Sequence, residues 1–197
     1  MHGLVNRSIQ CFIRDTYGVE IWEEICREAD LGFNNFESLL MYDVSLTDAV
    51  LSVAGKLIGR CREGLLEDMG TYLVSNPDLD ALRRLLRFGG ENFEEFLHSL
   101  DDLHDRVKLA LPDLDIPVLE LKERTAHTYS LSYRWKNRGF GALVLGILRA
   151  MADDYGALVL LEHSTMRDGL GELDQISISL LDGAFAQGRG FDLGAQV

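Results

Sequence analysis

Residues 91–117 read ENFEEFLHSLDDLHDRVKLALPDLDIP, and the fold turns on how this stretch is understood. At a helical advance of about 100° per residue, Phe93, Phe96, Leu97, Leu100, Leu103 and Val107 form one apolar stripe. His104 falls inside that stripe and His98 falls on the opposite face, among carboxylates. His104 therefore has two readings. It is a core histidine whose ring nitrogens are satisfied by neighbours, or it is a metal ligand, a role in which neutral imidazole is the commonest side chain. No second His, Cys or carboxylate stands at ligand spacing along the apolar face, which argues against a zinc cage.

A lone inward imidazole suits a metal that brings its own equatorial ligands. Haem iron is of that kind, with one axial histidine and the remaining ligands from the porphyrin.

The surrounding chain has 197 residues, 47% of them hydrophobic, enough for one sizeable core. A formal charge of -13 argues against nucleic acid or an anionic membrane as partner, since both require a positive face. No apolar run approaches the length of a membrane span and the first residues lack a signal-peptide pattern, so a cytoplasmic location is expected. Cys11, Cys26 and Cys61 are odd in number and lack CxxC spacing, which fits free thiols in a reducing compartment.

Helical spacing is expected over residues 3–15 and 19–30, with Tyr17-Gly18 as the stop between them. A loop follows to Asp43, then a helix capped at Ser45 and running to Gly59. Further helices are expected over 63–73 and, opened by Pro77, over 78–88, where Gly89-Gly90 ends the run before the His104 helix. Gly59, Gly64 and Gly70 have no individual reason visible in the sequence. After Pro117 the period changes to two: His127, Tyr129, Leu131, Tyr133 and Trp135 alternate with polar residues, which predicts a strand over 127–136. A helix over 141–155 and strands over 157–162 and 176–180 complete an α+β domain, helices first and a small antiparallel sheet second. Residues 1–181 read as one domain, helical to about 112 and sheet-containing from 113. The Gly-rich tail 182–197 is expected to be flexible.

The run from Phe96 to Val107, with Pro112 and Pro117 after it, resembles the proximal helix of the H-NOX family. These are the haem nitric oxide/oxygen binding domains related to the sensor domain of soluble guanylate cyclase. Met1-His2-Gly3-Leu4-Val5-Asn6, Tyr17-Gly18 and Ile21-Trp22 resemble the same family's N-terminal part, and the likeness continues through Gly139 to Tyr155.

The resemblance implies an H-NOX fold and a haem b (iron protoporphyrin IX) held by His104 as proximal ligand, with Pro117 pressing on the porphyrin. It implies a distal pocket lined by Val5, Leu73 and Leu143. None of these donates a hydrogen bond, so nitric oxide and carbon monoxide are expected to bind and dioxygen, which needs a donor, is not. It implies a Tyr-x-Ser-x-Arg motif for the propionates, and here the sequence departs. The motif falls on Tyr133-Arg134-Trp135-Lys136-Asn137, with Trp135 for the serine and Asn137 for the arginine. Asn137 offers a neutral amide where a bidentate guanidinium would bind a carboxylate. Arg134, Lys136 and Arg138 stand nearby with two readings: one of them replaces the missing charge through a twist or bulge of the strand, or they are a solvated strand face, where strict alternation puts Arg134 and Lys136.

The function implied is a gas sensor, not an enzyme, signalling to a partner such as a histidine kinase or diguanylate cyclase. The alternative motivated by Trp135 and Asn137 is a domain of the same fold without haem, acting as an interaction module or binding another hydrophobic ligand. No Ser/His/Asp order, phosphate loop or carboxylate pair points to catalysis.

Overall fold

A computed structural model describes residues 1–135, 139–169 and 171–191. The first half is helical: α1 (Gly3–Tyr17), α2 (Val19–Glu28), α3 (Val44–Ile58), α4 (Arg62–Ser75) and α5 (Asp80–Arg87), the last preceded by a 3-10 turn opened by Pro77. Gly18, at φ 102°, separates α1 from α2 where the stop was expected. The cap of α3 is Asp43, whose carboxylate accepts from Ser45 N at 2.8 Å, so the helix starts one residue before the expected cap. Gly59 ends α3 in the left-handed conformation, at φ 72°.

The decisive stretch is not one helix. It forms α6 (Phe93–His98), a 3-10 segment over Ser99–Asp102, and α7 (Leu103–Ala110). Ser99 explains the interruption. Its hydroxyl donates to the Phe96 carbonyl at 2.7 Å and its own carbonyl accepts from Arg106 Nη2 at 2.9 Å, drawing the chain into a tighter turn. Phe93, Phe96, Leu97, Leu100 and Val107 are buried as the stripe requires, while Leu103 and His104 are half-buried.

The second half contains β1 (Val118–Thr125), β2 (Thr128–Arg134), α8 (Gly141–Tyr155), β3 (Leu158–Asp168) and β4 (Gly171–Asp182). The strands form an antiparallel sheet in the order β1-β2-β4-β3. The domain is therefore α+β, as the sequence predicts. β1, absent from the sequence reading, is an edge strand in which Leu119 is buried and Leu121 half-buried, so its alternation spans too few residues to read.

Two apolar cores result, each buried Leu or Phe contributing roughly 1.5–3 kcal/mol. One gathers Ile9, Phe12, Trp22, Leu66 and Leu143 within the helical half. The other places Phe93, Phe96 and Leu97 against Leu131, Ile176 and Ile178 of the sheet. α8 serves both, with Leu143 in the first and Leu148 and Met151 in the second. It crosses α4 at two glycines. A Cβ on Gly70 would collide with the Leu143 carbonyl, and one on Gly146 with the Glu67 carbonyl. Gly70, unexplained by sequence, thus acts with Gly146 to let α4 and α8 touch backbone to backbone.

The segment after Asp182 makes defined contacts as far as it is described. Ala186 N donates to the Gly156 carbonyl at 3.0 Å and Arg189 N to the Asp154 carbonyl at 2.9 Å. Arg83 Nη2 donates to the Gly190 carbonyl at 3.0 Å.

Candidate functional site

His104 lies in the first turn of α7, and its Nδ1 is 3.1 Å from the Ile116 carbonyl. A carbonyl only accepts, so Nδ1 carries the proton and Nε2 keeps its lone pair. Nε2 has no hydrogen-bond partner among the described residues. Ile116 precedes Pro117, which biases Ile116 toward extended backbone. The ring is thus not a core histidine satisfied at both nitrogens. One nitrogen fixes the tautomer through the main chain and the other keeps an unengaged lone pair.

The segment between α7 and β1 also walls an open cavity of about 380 Å³. Asp113 and Asp115 line it from this segment, and Met1, His2, Val5, Met41 and Val44 line it from the helical half. The helical wall is tied together at its start. Gly3 N donates to the Leu40 carbonyl at 2.7 Å, Tyr42 N to the Met1 carbonyl at 2.9 Å, and His2 bridges Met41. Gly3 permits this approach, since a Cβ there would run into the Glu37 carbonyl. Val5 is thereby placed across a cavity from the segment that orients His104. His2 was not a sequence candidate, because its place depends on pairing with a loop some forty residues away.

Leu73 on α4 and Leu143 on α8 are each 8% exposed and belong to the core against which Val5 packs. None of the three side chains carries a hydrogen-bond donor.

The carboxylate-holding end is arranged differently. Tyr133, 3% exposed, pairs in register with Leu119 and Asp174 and donates its hydroxyl to the Gly141 carbonyl at a long 3.5 Å. Burial and then the Asp174 carboxylate push its hydroxyl well above the ordinary tyrosine range. Asp174 also accepts from Thr165 at 2.8 Å and contacts His163 Nε2 at 2.9 Å. Trp135 is half-buried, edge-on to Phe140 at 5.3 Å and packed on the helical core, and its indole Nε1 is buried without a partner. Pro117 is half-buried at the entry to β1. Asn137 and Arg138, with Lys136, lie outside the described residues.

These residues fit haem at the iron end, where His104 offers an oriented imidazole with a free Nε2. Among the described residues no three His, Cys, Asp or Glu side chains stand together as a group that could hold a metal. At the carboxylate end, Tyr133 is already directed at Gly141 and Trp135 at the helical core.

The profile of the Haem-NO-binding family matches residues 2–163. The chain is 22% identical over 158 residues to soluble guanylate cyclase 89Da of Drosophila melanogaster, covering 80% of this chain and 24% of that protein. It is 25% identical over 154 residues to soluble guanylate cyclase gcy-31 of Caenorhabditis elegans, covering 78% of this chain and 22% of that protein. The chain thus spans about a quarter of the length of these relatives. Among solved structures, the Fe(II) unliganded H-NOX protein from K. algicida superposes with a TM-score of 0.79 at 18% identity, covering 95% of this chain and 100% of that one. A mutant H-NOX from T. tengcongensis also gives 0.79, at 15% identity, over 94% and 100%. The shared fold is that of H-NOX domains.

Proposed function

This chain belongs to the Haem-NO-binding family, and from that premise we propose that it senses nitric oxide with a haem b held through His104. The observation that carries the reading is the His104 tautomer: Nδ1 is committed to the Ile116 carbonyl and Nε2 is left free. Bound haem would supply a ferrous iron able to take nitric oxide or carbon monoxide. The chain's own residues do the rest. His104 would hold the group through an imidazole of fixed orientation, Pro117 follows the carbonyl that fixes it, and Val5, Leu73 and Leu143 would supply an apolar lining. A distal side without a donor disfavours dioxygen, whose bound form carries partial negative charge.

A domain of this family is a sensor module and not a catalyst, so the output belongs to a partner. A signalling enzyme such as a histidine kinase or a diguanylate cyclase has the required character. α7 suits the moving part: it is only eight residues long, it is separated from α6 by the 3-10 segment, and its last two residues are exposed. No helix among the described residues is long and apolar enough to cross a membrane, which is compatible with the proposed cytoplasmic location.

A second reading is favoured by one observation, that the Tyr133 hydroxyl is engaged with the Gly141 carbonyl and the Trp135 ring packs on the helical core. On that reading the fold is kept without haem, for an interaction or for another hydrophobic ligand. The deciding experiment is an absorption spectrum of haem-supplemented, dithionite-reduced protein before and after nitric oxide, without oxygen and then in air. A stoichiometric Soret band that moves with nitric oxide and ignores air is the expected result. No such band would hand the case to the second reading.

A further inference from the structure

We infer that the cavity between the start of α1 and the 111–116 segment is a docking groove for a protein partner, and that it takes a segment in which lysine or arginine stands among apolar side chains. The inference supplies the partner surface of the sensing reading above, and rests on that reading only in taking the partner to be a signalling enzyme.

The apolar wall of the groove includes Val5, Met41 and Val44. Met41 is 67% exposed and Val44 38%, and Leu39 and Leu40, which lead into them, are 87% and 55% exposed. Large apolar side chains left in water side by side mark a contact surface, where single scattered ones would not. The backbone beneath them is already fixed. The Met1 amino group donates to the Tyr42 carbonyl at 2.6 Å, and the Tyr42 amide returns to the Met1 carbonyl at 2.9 Å. The Tyr42 hydroxyl accepts from Glu37 N at 2.8 Å, and its ring stands edge-on to Phe36 at 4.9 Å. A surface ordered beforehand gives up little freedom when a partner arrives, which favours binding. Met41 adds a pliable thioether chain that fits more than one shape.

The facing wall decides the charge of the occupant. Asp113 and Asp115 line it, and Asp43 stands exposed between Met41 and Val44, its carboxylate accepting from Ser45 N at 2.8 Å. The nearby cations are engaged by the main chain. Lys108 Nζ donates to the Pro112 carbonyl at 3.1 Å, and the Met1 amino group is given to Tyr42. The whole chain carries a formal charge of -13. An acidic segment is therefore repelled from this groove, and a basic one is steered into it.

The groove also lies where a change at His104 would be felt. The 111–116 segment turns through a hydrogen bond from Leu114 N to the Leu111 carbonyl at 3.1 Å and ends on the Ile116 carbonyl that orients the His104 ring. A partner seated against Asp113 and Asp115 touches the segment that positions the imidazole.

The test is the fluorescence anisotropy of a fluorescein-labelled helical peptide with leucine on one face and lysine on the other, titrated with the full chain at about 0.15 M salt. Two further peptides carry glutamate for lysine, or serine for leucine. Only the leucine–lysine peptide is expected to bind. Met41→Asp and Asp113→Lys should each weaken it about tenfold. Both residues are exposed, so the variants should keep the wild-type thermal midpoint. Glu162→Lys, exposed on β3 at the sheet edge opposite β1, should leave the affinity unchanged. Equal weakening by Glu162→Lys, or equal binding of the serine peptide, would reduce the effect to general attraction to an acidic protein and overturn the groove. Full affinity in both groove variants overturns it as well. Self-association of the full chain in sedimentation, abolished by Met41→Asp, would give the groove to a second copy and overturn the choice of partner. In reduced, haem-loaded protein, nitric oxide is expected to change the peptide affinity about threefold. An unchanged affinity beside a Soret band that does move overturns the link to signalling. Peptide binding without any Soret band overturns the haem reading alone.

Discussion

His104 donates from Nδ1 to the main-chain carbonyl of Ile116, 3.1 Å away and twelve residues on in the chain. A side chain at the start of a short helix is thereby steered by the backbone of the segment that leads into the sheet. The bond contributes only about 1 kcal/mol to stability, but it sets which nitrogen can bind a metal. His104→Gly is expected to remove the protein-derived axial ligand from bound haem, and added imidazole to restore the Soret spectrum. A spectrum unmoved by the substitution would exclude axial ligation.

The crossing of α4 and α8 should tolerate no side chain. Gly146→Ala places a methyl group on the Glu67 carbonyl, which must move or push the helices apart. We expect a loss of about 3 kcal/mol, at the upper end for overpacking, read as a lower midpoint in urea. A midpoint within error of wild type would mean that the helices separate freely. The same shift would move Leu73 and Leu143, so a change in gas affinity should accompany it.

Asp154, 1% exposed, is held by Arg83 at 2.9 Å, with Arg87 at 3.5 Å and Arg189 at 3.8 Å. Arg87 also lies 3.9 Å over the Tyr155 ring. Asp154→Ala leaves Arg83 and Arg87 buried without their counter-charge, which should cost about 3–5 kcal/mol. It should also free the 186–190 segment, seen as new cleavage there under limited proteolysis. Unchanged stability and protection would show the cluster to be neutral.

Alkaline pH should unfold the protein through its buried tyrosines. Tyr155 is pushed up to about 12, chiefly by burial, from an ordinary 10.0, and Tyr133 is raised further, by burial and then by Asp174. A raised folded-state value means the neutral form is favoured in the fold. The stabilisation is complete below pH about 10 and declines as the pH rises above it. Tyr133→Phe, losing only a 3.5 Å hydrogen bond, should hold its thermal midpoint at neutral pH and lose less of it between pH 10 and 11. Parallel curves for the two proteins would refute the assignment to Tyr133.

Much of the architecture is legible without coordinates because its signals are local. The apolar period of 91–107 places Phe93, Phe96 and Leu97 in the core, and the alternation of 129–133 places Tyr129, Leu131 and Tyr133 on the buried face. The helix over 141–155 is observed at those residues. β1 escapes because in this edge strand only Leu119 and Leu121 turn inward and residues 122–125 are all exposed, leaving too short an alternation to read. The cap of α3 is misplaced because Asp43 and Ser45 are both good capping residues, and the choice rests on where the loop from Tyr42 enters.

What the sequence by itself determined is therefore the order and type of most elements, the place of Phe93, Phe96 and Leu97 in the core and, through residues such as Met1-His2-Gly3 and Pro117, the family likeness that the family match bears out. What only the tertiary structure decided is the protonation of His104 and the make-up of the cavity wall. His104 takes its tautomer from a carbonyl beyond the end of its helix, and the cavity wall that holds His2 is made by residues 40–42. The reach of the Trp135 indole depends on Phe140 and the helical core. Periodicity reports which way a side chain faces, whereas a ring nitrogen's role is set by the one atom within hydrogen-bond distance, and chain folding alone brings that atom there.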